Sequence, residues 1–194
     1  MAIDACKLPW AAVPQKGWYR CVPRQYANLP PRISRTRTRF NDGRLGVLYF
    51  APSPRVAMFE ARALLGSFFH TAVPAPGGTY VVVKYLVEIR GHVIVDAREA
   101  RLPRIQTSIQ EMTGDWLTYP RHQENAPTQD LACGVHALQG NPREPGDNIP
   151  AMGLVAPSAR NPLVDNLILF ADRLPDRSVR IDPEVVPRAV ELRG

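Results

Sequence analysis

Four side chains of this 194-residue chain, Arg39, Tyr49, Glu60 and Ser158, have types and surroundings that could support chemistry. Glu60 makes the strongest case. A helix beginning after Ser53 advances 100° per residue and places Val56, Phe59, Glu60, Ala63 and Leu64 on one face, with Arg55 and Arg62 turned away. A carboxylate in an apolar stripe is costly unless it is paired or neutralised. Two readings follow: a structural ion pair with a buried arginine, or a catalytic carboxylate on a rigid helix directly after a strand. Tyr49 lies in that strand, where a tyrosine is ordinarily core with its hydroxyl satisfied by a neighbour; beside Glu60 it could wall a pocket and stack on a planar ring. Arg39 suits bidentate phosphate recognition, or solvation on a loop. Ser158, in APSARNP after another strand, could bind a ligand or cap a turn, and Pro157 with Asn161–Pro162 favours the turn.

The elements that must position these groups are legible in outline. Residues 1–16 form a poorly patterned lead-in, and 17–194 the domain proper. Gly17–Val22 reads as a strand ended by Pro23, followed by an Arg- and Pro-rich loop to Arg44 with a turn at Asp42–Gly43. Gly46–Phe50 is apolar on both faces and suits a central buried strand. Ser53 is a good N-cap and Pro54 fits the first helical position, so a helix is expected to about Leu65 with Gly66 as its stop. Thr71–Gly78 reads as a loop. Tyr80–Arg90 alternates as a strand, with Val81, Val83, Tyr85, Val87 and Ile89 on its apolar face and Lys84 and Glu88 opposite. His92–Asp96 reads as a further strand, with a hairpin return as one option. Helices are expected near Ser108–Asp115 and from Thr128 to Gly140. Strands at Gly153–Ala156, Asn166–Phe170 and the SVRI segment precede a short C-terminal helix. This succession implies an α/β (mixed α+β) fold, one domain around a central mixed sheet.

Bulk properties narrow the function classes. Hydrophobic residues make up 45% and charged residues 22%, as in globular proteins. Twenty prolines fall mostly between the apolar runs and punctuate loops. The net charge is +6, with Arg32, Arg35, Arg37, Arg39 and Arg44 crowded together. A basic nucleic-acid-binding module is one reading of that cluster, but it lacks interleaved aromatics and a groove-reading helix. Cys6, Cys21 and Cys133 form neither a disulfide framework nor, with His70, His92, His122 and His136, a metal-ligand spacing. The N-terminus has no apolar signal region, no apolar run approaches a membrane span, and the cytoplasm is the expected compartment. No GxSxG, GxGxxG or Walker loop is present, so a nucleotide would be bound by another scheme.

The ordered set Arg39–x9–Tyr49–x10–Glu60, within RFNDGRLGVLYFAPSPRVAMFEA, resembles the RES domain family of bacterial toxins. GWYRC (17–21), GDWL (114–117), TQDL (128–131) and GLVAPSARNPLVDNLILF (153–170) extend the likeness over roughly residues 17–174. One departure is Phe170–Ala171, where the family often has Asn-Pro. The resemblance implies an ADP-ribosyltransferase-like fold, NAD as substrate and no metal. It implies that Arg39, Tyr49 and Glu60 are catalytic and that Arg20, Ser158 and Asn166 bind substrate. The activity implied is cleavage of the nicotinamide–ribose bond, depleting NAD, or transfer of ADP-ribose to a protein. A carboxylate would steady the positive charge developing on the ribose, as in glycoside hydrolysis. The partner implied is an Xre-type helix-turn-helix antitoxin in a hetero-oligomer, with no direct DNA contact by this chain and no membrane.

Overall fold

The computed structural model describes residues 8–14, 17–66, 72–75, 79–89, 93–105, 107–114, 125–138, 150–183 and 188–189. Its strands are β1 (Trp10–Ala12), β2 (Trp18–Pro23), β3 (Val47–Phe50), β4 (Leu64–Gly66), β5 (Ala72–Pro74), β6 (Tyr80–Val87), β7 (Val93–Asp96), β8 (Gly153–Pro157), β9 (Asp165–Phe170), β10 (Val179–Ile181) and β11 (Arg188–Ala189). The helices are α1 (Pro54–Glu60), α2 (Ile109–Thr113) and α3 (Pro127–Ala137). No helix among the described residues is long and apolar enough to cross a membrane.

A mixed sheet in the order β1-β7-β8-β9-β3 forms the centre, parallel only between β7 and β8. Side chains alternate across it, as a pleat requires. Leu48, Phe50, Val155, Leu167 and Leu169 face a second, antiparallel sheet, in which β2, β10 and β11 all pair with β6. Trp18, Val81, Val83, Tyr85 and Val87 close that layer from the other side. Val47, Leu154, Ala156, Ile168 and Phe170 face the opposite way, onto Met112 of α2 and Leu131, Ala132 and Val135 of α3. Burying each large side chain contributes roughly 1.5–3 kcal/mol, so both interfaces matter for holding the mixed sheet in place. Gly153 is required where β8 crosses β9, because a Cβ there would lie 2.0 Å from the Ile168 carbonyl oxygen.

Several expectations are corrected. The Gly46–Phe50 run is an end strand of the mixed sheet, not a central one. It is buried because Ser34 bridges Val47 and Tyr19 bridges Ala51, joining its open side to the preceding loop and to β2. β7 does not return on β6 as a hairpin; it pairs with β1 and β8. β1 itself arises within the stretch read as a lead-in. Residues 72–74, read as loop, pair as β5 with β4. At the C-terminal end Arg188–Ala189 is a strand on β6, not part of a helix, while 184–187 and 190–194 lie outside the described residues. The Pro-rich segment 141–149 and most of GDWL also lie outside them.

The largest correction concerns α1. It starts as expected, with Ser53 Oγ accepting the Val56 N–H at 3.3 Å and Pro54 in the first turn. It ends at Glu60, not near Leu65. The Ala63 N–H bonds back to Met58 O (2.9 Å) and the Arg62 N–H to Phe59 O (3.1 Å), with Arg62 at φ 55°. This is the double bond pattern of a Schellman stop with an arginine in the left-handed position glycine ordinarily takes. The chain then leaves as β4. Ala63 and Leu64 therefore do not extend Glu60's helical face, and Glu60 stands at the helix end, half-buried.

Candidate active site

The end of α1, β2, β3, the start of β9 and the turn after β8 converge on a cleft of about 360 Å³. Its walls include Arg20, Arg39, Tyr49, Glu60, Arg62 and Asn166. Five of the six residues singled out from the sequence therefore line one cavity. The sixth, Ser158, lies behind the wall and is fully buried.

Glu60 is held from one side. Its Oε1 accepts the Ser158 hydroxyl at 2.5 Å and the Asn166 Nδ2–H at 2.7 Å. No hydrogen bond from the described residues reaches Oε2. The Ser158 hydroxyl is fully used: while donating to Glu60 it accepts the Arg160 N–H (3.1 Å) and the Asn161 N–H (3.2 Å). A hydroxyl has one donor and two lone pairs, so Ser158 positions the carboxylate and caps its own turn at once. The turn cap is thus present as read, while the hydroxyl has no donor or lone pair left over for a ligand. The Asn166 carbonyl oxygen is buried with no partner among the described residues, next to Glu60.

Arg39 is not a solvated loop residue: only 8% of it is exposed. Its Nη2 donates to Pro157 O at 2.8 Å and to Met112 O, and its guanidinium lies 4.8 Å from the Phe40 ring centroid. Burial lowers its pKa to about 10, against the opposing pull of Glu60 and Tyr49. It remains a cation at neutral pH, its field reaching Glu60, with much of its donor capacity committed to carbonyls. Arg20 gives one nitrogen to Arg32 O (3.1 Å) and lies over Phe50; its Nη1 and the Arg39 Nε are buried without partners among the described residues. Of the crowded arginines, Arg32, Arg35 and Arg44 are exposed, as the solvated reading expects.

Tyr49 presents its ring to the cleft and hides its hydroxyl. That hydroxyl lies 2.6 Å from Thr38 Oγ1 and accepts the Phe40 N–H at 3.0 Å. Burial pushes its pKa up to about 12, more than the Thr38 and Phe40 hydrogen bonds and Arg39 pull it down. It therefore stays a neutral phenol at neutral pH, with its hydroxyl engaged by Thr38 and Phe40. The loop carrying Thr38 and Arg39 is clamped by the start of α3. Gln129 donates to Thr38 O (2.7 Å) and accepts from Arg37 Nη2 (3.0 Å) and Ala126 N (2.9 Å), while Thr128 Oγ1 donates to Arg39 O (2.5 Å).

Sequence reasoning missed Arg62, Arg160, Cys21 and Gln129 as parts of this site. Arg160 sits inside APSARNP, so proximity to Ser158 was a usable signal. Arg62 is exposed, as the helix-face reading has it, but it also lines the cleft, because α1 stops at Glu60. Cys21 lines the cleft with its thiol pushed by burial to about 12. Among the described residues no group of three or more His, Cys, Asp or Glu side chains could hold a metal ion.

A family model for the RES domain matches residues 9–189. No curated protein matches the chain. Among solved structures, a chain of the M. tuberculosis MbcT-MbcA toxin-antitoxin complex is similar in fold. Its TM-score is 0.60 at 14% identity, covering 90% of this chain and 84% of that one.

Proposed function

This chain belongs to the RES domain family, and on that premise we propose that it is the toxin of a bacterial toxin–antitoxin pair that cleaves the nicotinamide–ribose bond of NAD. The observation that carries the reading is the one-sided hold on Glu60, which leaves Oε2 without a hydrogen bond from the described residues in a side chain that lines a cleft with an aromatic wall and buried cations. As the glycosidic bond breaks, its electron pair goes to the pyridinium nitrogen and nicotinamide leaves neutral. The positive charge that appears on the ribose is stabilised by the fixed carboxylate, which needs no reorganisation at that moment. Tyr49 walls the space for the planar nicotinamide, and the cationic side of the cleft favours the pyrophosphate. Asn166 Nδ2–H steadies the carboxylate from the wall of the cleft.

The partner in this reading is a helix-turn-helix antitoxin. It is supported by family membership and by a fold shared with a chain from a toxin-antitoxin complex. The working compartment would be the cytoplasm, where NAD and the antitoxin are both available.

The test is purified protein with NAD, following nicotinamide release and identifying the second product. Glu60→Ala is expected to lose roughly 10²–10³-fold in kcat at an unchanged fold; undiminished turnover would refute the assignment. Label from NAD appearing on a protein band, not as free ADP-ribose or a phosphorylated sugar, would redirect the reading to protein ADP-ribosylation.

A further inference from the structure

We propose that Arg62, outside the Arg–Tyr–Glu–Ser set, contacts the anionic part of the ligand at the mouth of the cleft. The identity of that ligand rests on the NAD reading; the anion chemistry rests on the residues themselves. Four arginines line the cleft, Arg20, Arg39, Arg62 and Arg160, against a single carboxylate, Glu60. A cavity so lined favours an anion. The four are not equally available. Arg39 is anchored through one nitrogen to the carbonyls of Met112 and Pro157 and packs over Phe40, and Arg20 is anchored through one nitrogen to Arg32 O and packs over Phe50, so the fold fixes where both sit. Arg62 and Arg160 are exposed, and neither guanidinium has a hydrogen bond or ion pair among the described residues.

Backbone conformation separates these last two. Arg62 holds φ 55° as the stop of α1, two residues after Glu60. That region disfavours a residue with a Cβ, and glycine or asparagine would occupy it more easily. The fold needs a left-handed residue there, but nothing in the helix stop needs an arginine. Among the described residues its side chain has no hydrogen-bond or ion-pair partner to account for it. Strained residues of this kind cluster at active sites and ligand clamps, and Arg62 lines a cleft with an excess of positive charge. A guanidinium there forms charge-assisted bonds to phosphate oxygens while its backbone fixes where α1, and hence Glu60, ends.

The experiment compares Arg62→Gly and Arg62→Lys with wild type. The readouts are KM and kcat for NAD, calorimetric affinity for ADP at two salt concentrations, and melting temperature. Arg62→Gly is expected to raise KM for NAD and Kd for ADP by about 5- to 20-fold, with kcat changed by less than about twofold. It should melt at least as high as wild type, because glycine suits the left-handed position. Arg62→Lys should recover part of the affinity at low salt. Unchanged KM and Kd in Arg62→Gly, or a wild type that does not bind ADP, would overturn the proposal. So would a marked fall in melting temperature together with parallel losses in Arg62→Lys, which would make the role structural. If wild type leaves NAD intact but Arg62→Gly weakens ADP binding, the NAD reading fails and the anion contact stands. If NAD is consumed equally by both, the contact fails and the NAD reading stands.

Discussion

Replacing Ser158 by alanine should damage stability and activity together, by amounts that its three hydrogen bonds set. The hydroxyl donates to the Glu60 carboxylate at 2.5 Å and accepts the N–H groups of Arg160 and Asn161 at 3.1 and 3.2 Å. A hydrogen bond to a charged group contributes about 1.5–3 kcal/mol and a neutral one about 1 kcal/mol, and a buried donor left unpaired adds its desolvation cost. The Asn161 bond is buried, whereas the Arg160 bond is only partly so. The three together, discounted for the partly buried Arg160 bond, give an expected loss of about 3–5 kcal/mol, or roughly 6–20 °C in melting temperature for a chain of this size. With Oε1 held by Asn166 alone, the carboxylate gains freedom to turn from its reacting pose, and a roughly 10- to 100-fold fall in kcat is expected. Thermal denaturation by circular dichroism gives the first quantity. Nicotinamide release at a temperature well below the variant's melt gives the second. A Ser158→Ala protein that melts with wild type and consumes NAD at the wild-type rate would refute the reasoning. One that melts lower but turns over normally would leave the turn cap and remove the role on Glu60.

Further expectations follow from the same geometry. Tyr49→Phe strands the Phe40 N–H and should cost about 1–3 kcal/mol at neutral pH. Because Tyr49 is raised from 10.0 to about 12, the folded protein binds more protons than the unfolded chain between those values. Stability from this group is therefore complete below pH 10 and is lost as pH rises toward 12, so chemical denaturation should show wild type and Tyr49→Phe converging at alkaline pH. Cys21, held as a thiol by burial up to about 12, should resist iodoacetamide at pH 8 in the native protein and react once unfolded, as peptide mass mapping would show; rapid native labelling would contradict the burial. Gln129→Glu replaces the donor facing Thr38 O by an acceptor, and should lower stability by about 2–4 kcal/mol in a denaturant titration; an unchanged midpoint would show that α3 does not clamp the loop.

Much of the architecture could be read from local pattern, because alternation and capping are local. The apolar alternation of Tyr80–Val87 and the Ser53–Pro54 start of α1 both stand. The end of α1 could not be read, since its stop is an arginine in a conformation that glycine ordinarily marks, and no residue type announces it. The placement of β3 at the end of its sheet depends on bridges to Ser34 and Tyr19, which are contacts of tertiary structure. In the site, Glu60 was readable as an anomaly on an apolar face, although the true reason for its position is the helix end. Arg39 was ambiguous, because the carbonyls that bury it belong to Met112 and Pro157, far along the chain. Gln129 carried a signal only as part of the TQDL block; its role could not be read, because it lies in bonds to residues about 90 positions earlier.

Such separations have a consequence for the birth of the molecule. The cleft draws on Arg20 at one end and Asn166 at the other, so 146 further residues (166 − 20) must be made after Arg20 before the last wall exists. At translation rates of about 5–20 residues per second, that delay is roughly 7–30 s. Until β9 has emerged, Glu60 has neither Ser158 nor Asn166 to hold it and Arg39 has no Pro157 to anchor it. Under the NAD reading, a nascent or prematurely terminated chain is therefore expected to lack activity. Whatever must meet this protein as it leaves the ribosome has a window of seconds in which to do so before the cleft closes into shape.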